Sequence, residues 1–253
     1  MAIFIMVHGA WHTGASFDRV REKLESLGHQ VIAPTLPGMG GTDEHLSSVT
    51  LDGWGEYIAD LARVQKAPVV LCGHSRGGIV ISTAAEKAPE AVLALVYITA
   101  FLLPAGDTVV GFKGRVPGGR SYDHHVSLIA EGIGSSIDPV GAALAFYGDA
   151  DEEDKRLALS SLASEPYWPA RTPLELTDER FGSVRRFYVE CTEDKAVWLD
   201  HQREMHTALP VEHVETLRSG HSPFLTQPDD LVDALLRILD RAEASPPSIE
   251  RRG

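Results

Sequence analysis

Two cysteines among 253 residues, Cys72 and Cys191, are too few for a disulfide framework, so this fold has to be held by packing. Both fall at the ends of expected core strands and read as buried free thiols. Positive charge is also scarce: 23 Lys and Arg stand against 36 Asp and Glu, a formal net charge of −13. That balance argues against a nucleic-acid partner, whose phosphates need a basic footprint, and against docking on an anionic membrane. The apolar amino terminus, Met1 to Val7, is too short to span a bilayer and lacks a basic leader region and a cleavage site. It reads as a first strand, and a cytoplasmic protein is the expectation. Internal repeats are absent. The rest of the composition, 43% hydrophobic and 23% charged, is that of a globular chain. Its length suits one large α/β domain or a core carrying an insertion.

The most informative segment is Val69-Val70-Leu71-Cys72-Gly73-His74-Ser75-Arg76-Gly77-Gly78. A β-branched apolar run ends in G-x-S-x-G, and a helix-compatible stretch over 78–87 follows at once. Strand, sharp turn and helix put a serine at the apex, where Oγ projects from the sheet edge beside helix N–H groups. Ser75 is therefore the expected nucleophile.

Around it the chain alternates strands (3–7, 30–34, 69–74, 93–98, 186–190, 211–217) with helices (17–27, 51–64, 78–87, 198–209 and a last one after Pro228). Phe17, Val20, Leu24 and Leu27 share one face of the first helix, which Gly28 closes. Thr226 to Asp229 reads as a capping signature for the last helix, with Leu231, Leu235, Ile238 and Leu239 on its buried face. The glycine-rich loop 36–42 follows no phosphate-binding spacing and reads as a turn. The rhythm breaks over 103–183, too long for a loop, so an inserted helical cap is expected between core segments 1–102 and 184–243. Helix-like stretches there run near 139–147 and 151–162, and 244–253 reads as a disordered tail.

A serine hydroxyl needs a base, and the base needs a carboxylate to fix its tautomer. On such an elbow the chain order is serine, acid, histidine. His221, in the loop Arg218 to Phe224 after the last strand, is placed as the base. His201, His206 and His213 read as solvated residues on helix or strand surfaces. The acid comes from Glu190, Glu193 or Asp194; a position a few residues past the strand end favours Asp194, with Glu193 as the fallback. The Asp149 to Asp151 turn resembles a strand end but reads as a helix end followed by an acidic helix start. The oxyanion donors are expected to be the N–H groups of Ala10, in the loop His8-Gly9-Ala10-Trp11, and of Arg76. His8 is expected to brace that loop through a backbone hydrogen bond. The Arg76 side chain is left between pairing with a surface carboxylate and a role in substrate binding.

His8-Gly9-Ala10-Trp11, Gly73-His74-Ser75, Ala100-Phe101, Thr192-Glu193-Asp194-Lys195 and Gly220-His221 resemble the α/β-hydrolase group of plant methylesterases and hydroxynitrile lyases. Bacterial carboxylesterases, some acting on pyrethroid-type esters, are its neighbours. The resemblance implies a mostly parallel six-stranded sheet flanked by helices, a helical lid over the serine, and no metal or organic cofactor. It implies a serine carboxylesterase for a small apolar or aromatic ester, with a homodimer as the candidate assembly. Trp11, Phe101, Leu103, Tyr147 and Trp168 are the expected substrate-binding residues. The lyases carry threonine where this chain has Gly9, and lysine where it has Ser222. Without that cation to stabilise departing cyanide, hydrolysis is favoured over the alternatives of a lyase or C–C bond hydrolase on the same triad, or a small-molecule receptor.

Overall fold

The computed structural model describes residues 1–115 and 122–244. The tail expected to be disordered lies outside them except for Ala244.

In chain order the strands are β1 (Ile3–Val7), β2 (Gln30–Ile32), β3 (Val69–His74), β4 (Val92–Ile98), β5 (Val126–Ile129), β6 (Gly134–Ile137), β7 (Glu165–Pro166), β8 (Arg186–Cys191) and β9 (His213–Leu217). The helices are α1 (Asp18–Ser26), α2 (Asp43–Ser47), α3 (Leu51–Arg63), α4 (Gly77–Lys87), α5 (Val109–Arg115), α6 (Pro139–Phe146), α7 (Glu152–Ser160), α8 (Leu199–Ala208), α9 (Pro223–Thr226) and α10 (Pro228–Glu243). The main sheet has six strands, all parallel, in the order β2-β1-β3-β4-β8-β9.

Strand alternation divides the core in two. Ile3, Ile5, Val7, Val69 and Leu71 face one side, where Trp54 and Ile58 of α3 and Ile79 and Val80 of α4 cover them. Phe4, Met6, Val70 and Cys72 face the other, against Val20 and Leu24 of α1 and Leu231, Leu235 and Ile238 of α10. Both sides of β3 are thus dry, which is why its sequence is a continuous apolar run. Thr50 caps α3 by accepting from Gly53 N at 2.9 Å.

Four local expectations are corrected. Leu27 follows the end of α1 and is 57% exposed, outside the buried face of Phe17, Val20 and Leu24. Thr226 does not cap α10: its hydroxyl turns to Asp149 Oδ2 at 3.1 Å, and α10 starts instead with Pro228 and two acidic residues in its first turn. His201 is buried and stacked on Trp198, with ring centroids 5.8 Å apart. The stretch between β4 and β8 is not purely helical: α5, α6 and α7 share it with an antiparallel sheet, β5-β6-β7. Those strands are short and carry Ser127, Ser135 and Ser136, so no apolar alternation announces them.

Among the described residues, no helix is long and apolar enough to cross a membrane.

Candidate active site

Ser75 stands between β3 and α4 with φ 53°, a left-handed backbone conformation that strains a residue with a side chain. The flanking glycines are required by contact. A Cβ on Gly73 would lie 2.7 Å from the Gly77 carbonyl oxygen, and one on Gly77 would lie 2.4 Å from that of Val7. The Ser75 carbonyl ties the turn together, accepting from Gly78 N at 3.1 Å and Phe101 N at 3.0 Å. Among the described residues Ser75 Oγ has no hydrogen-bond partner, and its side chain borders a cavity of about 260 Å³.

His221 Nδ1 donates to Asp194 Oδ2 at 2.7 Å, which leaves Nε2 as the ring's proton acceptor. Asp194 is buried and fully engaged: Oδ1 accepts from Ala196 N at 2.6 Å and Val197 N at 2.9 Å, and Oδ2 also accepts from the Thr99 hydroxyl. The other two carboxylates offered by that segment go elsewhere. Glu193 pairs with exposed Arg218 at 2.7 Å, and Glu190 with Arg203 at 2.9 Å.

His221 and Ser75 are linked through His74 rather than by a direct bond. The His74 ring lies 4.6 Å from that of His221, and its Nε2 donates to the His221 carbonyl oxygen at 2.8 Å. Burial holds the His74 pKa well below the usual imidazole range, so the ring is neutral. His221 also borders a separate groove of about 590 Å³, with Asp149, Glu193 and Lys195 on its walls.

The loop carrying Ala10 runs beside the elbow: a Cβ on Gly9 would meet both His74 Nδ1 and Ser75 Cβ at 2.9 Å. His8 braces it, donating from Nδ1 to the Gly9 carbonyl at 2.9 Å while Nε2 accepts from Leu36 N at 3.0 Å. Burial drives the His8 pKa down to about 3, which keeps that donor–acceptor pairing intact. His12 does the same one peptide later, donating from Nδ1 to the Ala10 carbonyl at 2.6 Å and accepting from the Tyr147 hydroxyl at 2.8 Å. Neither the Ala10 nor the Arg76 N–H is committed to another acceptor among the described residues. The Arg76 side chain reaches no surface carboxylate. It is buried, 3.1 Å from the buried Glu165 of β7, with its guanidinium 4.3 Å from the Trp54 ring centroid.

Of the expected substrate-binding residues, Trp11 and Phe101 line the cavity at Ser75. Leu103 is instead packed in the core, Tyr147 is buried with its hydroxyl on His12, and the Trp168 side chain is turned outward, 54% exposed. The cavity wall also includes Val109 and Val110 of α5, Tyr122, Val126, Tyr167 and Ala170, with Arg76, Lys113, Asp123, Glu165 and Arg171 as its charged members. Sequence reasoning missed His12, His74, Thr99, Asp149 and Glu165. Each acts through a contact between distant segments, and nothing in local spacing marks it. Among the described residues no group of three or more His, Cys, Asp or Glu side chains is arranged to hold a metal ion.

The profile of the alpha/beta hydrolase family matches residues 4–234. A pyrethroid hydrolase of Sphingobium wenxiniae is 32% identical over 249 residues, covering 93% of this chain and 87% of that protein. Salicylic acid-binding protein 2 of Nicotiana tabacum is 31% identical over 255 residues, covering 93% and 96%. The crystal structure of a pyrethroid hydrolase from Sphingobium faniae superposes with a TM-score of 0.84 at 29% identity, covering 94% and 97%. With the parallel sheet, the elbow serine and the His221–Asp194 pair in place, this chain belongs to the alpha/beta hydrolase family.

Proposed function

We propose that this chain, an esterase of the alpha/beta hydrolase family, cleaves a small apolar or aromatic carboxylic ester through a Ser75–His221–Asp194 triad. Ser75 Oγ attacks the ester carbonyl while His221 Nε2 takes its proton; Asp194 holds the ring in the needed tautomer and stabilises the imidazolium. The N–H groups of Ala10 and Arg76 receive the oxyanion. His221 then protonates the leaving alcohol, and water releases the acyl group by the same steps. The observation that carries the reading is the His221–Asp194 hydrogen bond of 2.7 Å, with the His221 carbonyl held at 2.8 Å by His74, the residue before a serine strained to φ 53°.

Residues 103–183 act as the lid over this centre. The walls that α5, Tyr122 and Tyr167 give the cavity, together with Trp11 and Phe101, favour an acyl or alcohol group that is flat and apolar. Its volume of about 260 Å³ suits a compact ester. Methyl esters of aromatic acids head the list to screen, with pyrethroid-type esters, the substrate named for the Sphingobium relatives, as the bulkier comparison. Cyanohydrin cleavage is disfavoured, because Ser222 offers no cation and a threonine at Gly9 would press on His74 and Ser75.

The test is pre-steady-state hydrolysis of p-nitrophenyl acetate. A burst of nitrophenolate is expected in the native chain. In Ser75→Ala the burst should vanish and turnover fall by at least about 10³-fold, with the far-ultraviolet spectrum unchanged. Equal turnover in the variant would end the proposal.

A further inference from the structure

An Ala10 N–H aimed at an oxyanion is useful only if the peptide planes on both sides of Ala10 are held, and four side chains grip them. The Gly9 carbonyl accepts from His8 Nδ1 at 2.9 Å and from Arg76 Nη2 at 3.1 Å. That peptide is trans and planar, so its C=O and the Ala10 N–H point in opposite directions, and fixing one fixes the other. On the far side, the Ala10 carbonyl accepts from His12 Nδ1 at 2.6 Å, and Trp11 N donates to Glu165 Oε2 at 3.3 Å. Trp11 has φ 58°, a backbone conformation that a bulky residue keeps only under constraint.

Two of these four grips belong to one ion pair. Arg76 Nε lies 3.1 Å from Glu165 Oε2, and the two side chains are 3% and 7% exposed. The carboxylate has further supports: Oε1 accepts from Ser135 Oγ at 3.5 Å, and Ser135 Oγ in turn accepts from Trp11 Nε1 at 3.2 Å. Burying such a pair costs desolvation that apolar residues of the same volume would avoid, so its contribution to stability does not account for it.

We infer that the Arg76–Glu165 ion pair is a positioning device for the oxyanion loop, turning the Ala10 N–H toward the carbonyl that Ser75 attacks. The inference rests on the esterase reading above. Arg76 thereby serves twice, its own N–H as one donor and its guanidinium as the holder of the other. Glu165 comes from β7, so the oxyanion site is complete only when the segment between β4 and β8 is seated on the core.

Glu165→Gln keeps the shape and removes the charge, and Arg76→Met removes the guanidinium while keeping the Arg76 N–H. Each is expected to lower kcat on p-nitrophenyl acetate about 10- to 100-fold with KM within about twofold. Affinity for a trifluoromethyl ketone, which mimics the tetrahedral state, should fall by the same factor. The double variant Arg76→Met with Glu165→Leu strands no buried charge. It is expected to melt near the native temperature and yet to keep the low kcat of the single variants. Recovery of native kcat in the double variant, or a loss of kcat unmatched by inhibitor affinity, overturns the inference. Hydrogen exchange across residues 8–12 reads the grip without turnover: faster exchange at the Trp11 amide is expected in the double variant, which removes the acceptor that Gln would retain, and unchanged exchange overturns it. A native chain with no Ser75-dependent hydrolysis would defeat the esterase reading instead, and the exchange result would still decide the role of the pair.

Discussion

Asp194 shows how a buried carboxylate is held and aimed. Two main-chain amides hold Oδ1, while the Thr99 hydroxyl and His221 Nδ1 share Oδ2. Asp194→Asn retains the oxygen that faces Ala196 and Val197 but presents an NH₂ group to His221. The ring must then carry its proton on Nε2 and can no longer accept from Ser75. Ester hydrolysis is expected to fall roughly 10³- to 10⁴-fold in kcat with little change in KM, measured by steady-state kinetics; a loss under about tenfold would remove Asp194 from the triad. Glu193 and Asp194 are adjacent in sequence and equally acidic; position past the strand end favours Asp194, and their partners divide the same way. One reaches the buried imidazole and the other an exposed arginine.

At the scale of elements, the turn between α6 and α7 reaches across to the loop that carries His221. Asp149 Oδ2 accepts from Gly220 N at 2.8 Å and from the Thr226 hydroxyl at 3.1 Å. The approach is close enough that a Cβ on Gly220 would stand 2.4 Å from Asp149 Oδ1. Asp149→Ala is expected to lower unfolding stability by about 1–3 kcal/mol, since both donors lose a charged acceptor. It should also lower kcat by loosening the histidine loop. Denaturant unfolding and kinetics on one preparation check both effects, and native values in both would show that the contact anchors nothing. In the sequence this turn reads as a helix end followed by an acidic helix start, and both parts are accurate: α6 ends at Phe146, and Asp151 caps α7 by accepting from Asp154 N at 2.8 Å. The contact to Gly220 is invisible there, because a carboxylate that caps its own helix and one that grips a remote loop have the same local signature.

For the whole molecule, the neutral histidines packed beneath the site link stability to acidity. Burial lowers the pKa of His12 to about 4 and that of His8 to about 3, against 6.5 for an ordinary imidazole. The unfolded chain therefore binds protons first as the pH drops. The stabilisation is complete above about pH 6.5 and is lost as the pH falls toward 4. For His12 the whole shift corresponds to roughly 3 kcal/mol. The melting temperature should be flat from neutral to mildly alkaline pH and decline below about 6.5. His12→Asn, which keeps a donor for the Ala10 carbonyl, should decline less steeply between pH 6.5 and 4.5, as read by thermal melts across that range. A slope equal to that of the native chain would show that His12 is not buried as a neutral ring.

By itself the sequence determined what depends on neighbours in the chain. Buried parallel strands must be apolar runs, the Gly73-x-Ser75-x-Gly77 spacing forces an elbow, and a loop with a glycine after the last strand carries His221. These signals are local because the periodicity of a strand and the crowding of a turn are felt within a few residues. The distance past the strand end already favoured Asp194 as the partner of His221, whereas tertiary structure alone decided why Arg76 is buried and which side chains wall the cavity. Those outcomes depend on how the segment between β4 and β8 lies over the sheet, bringing Trp11 to Glu165 and Gly220 to Asp149. Polar groups withdrawn from water must find partners wherever the fold delivers them, and no local pattern records where that is.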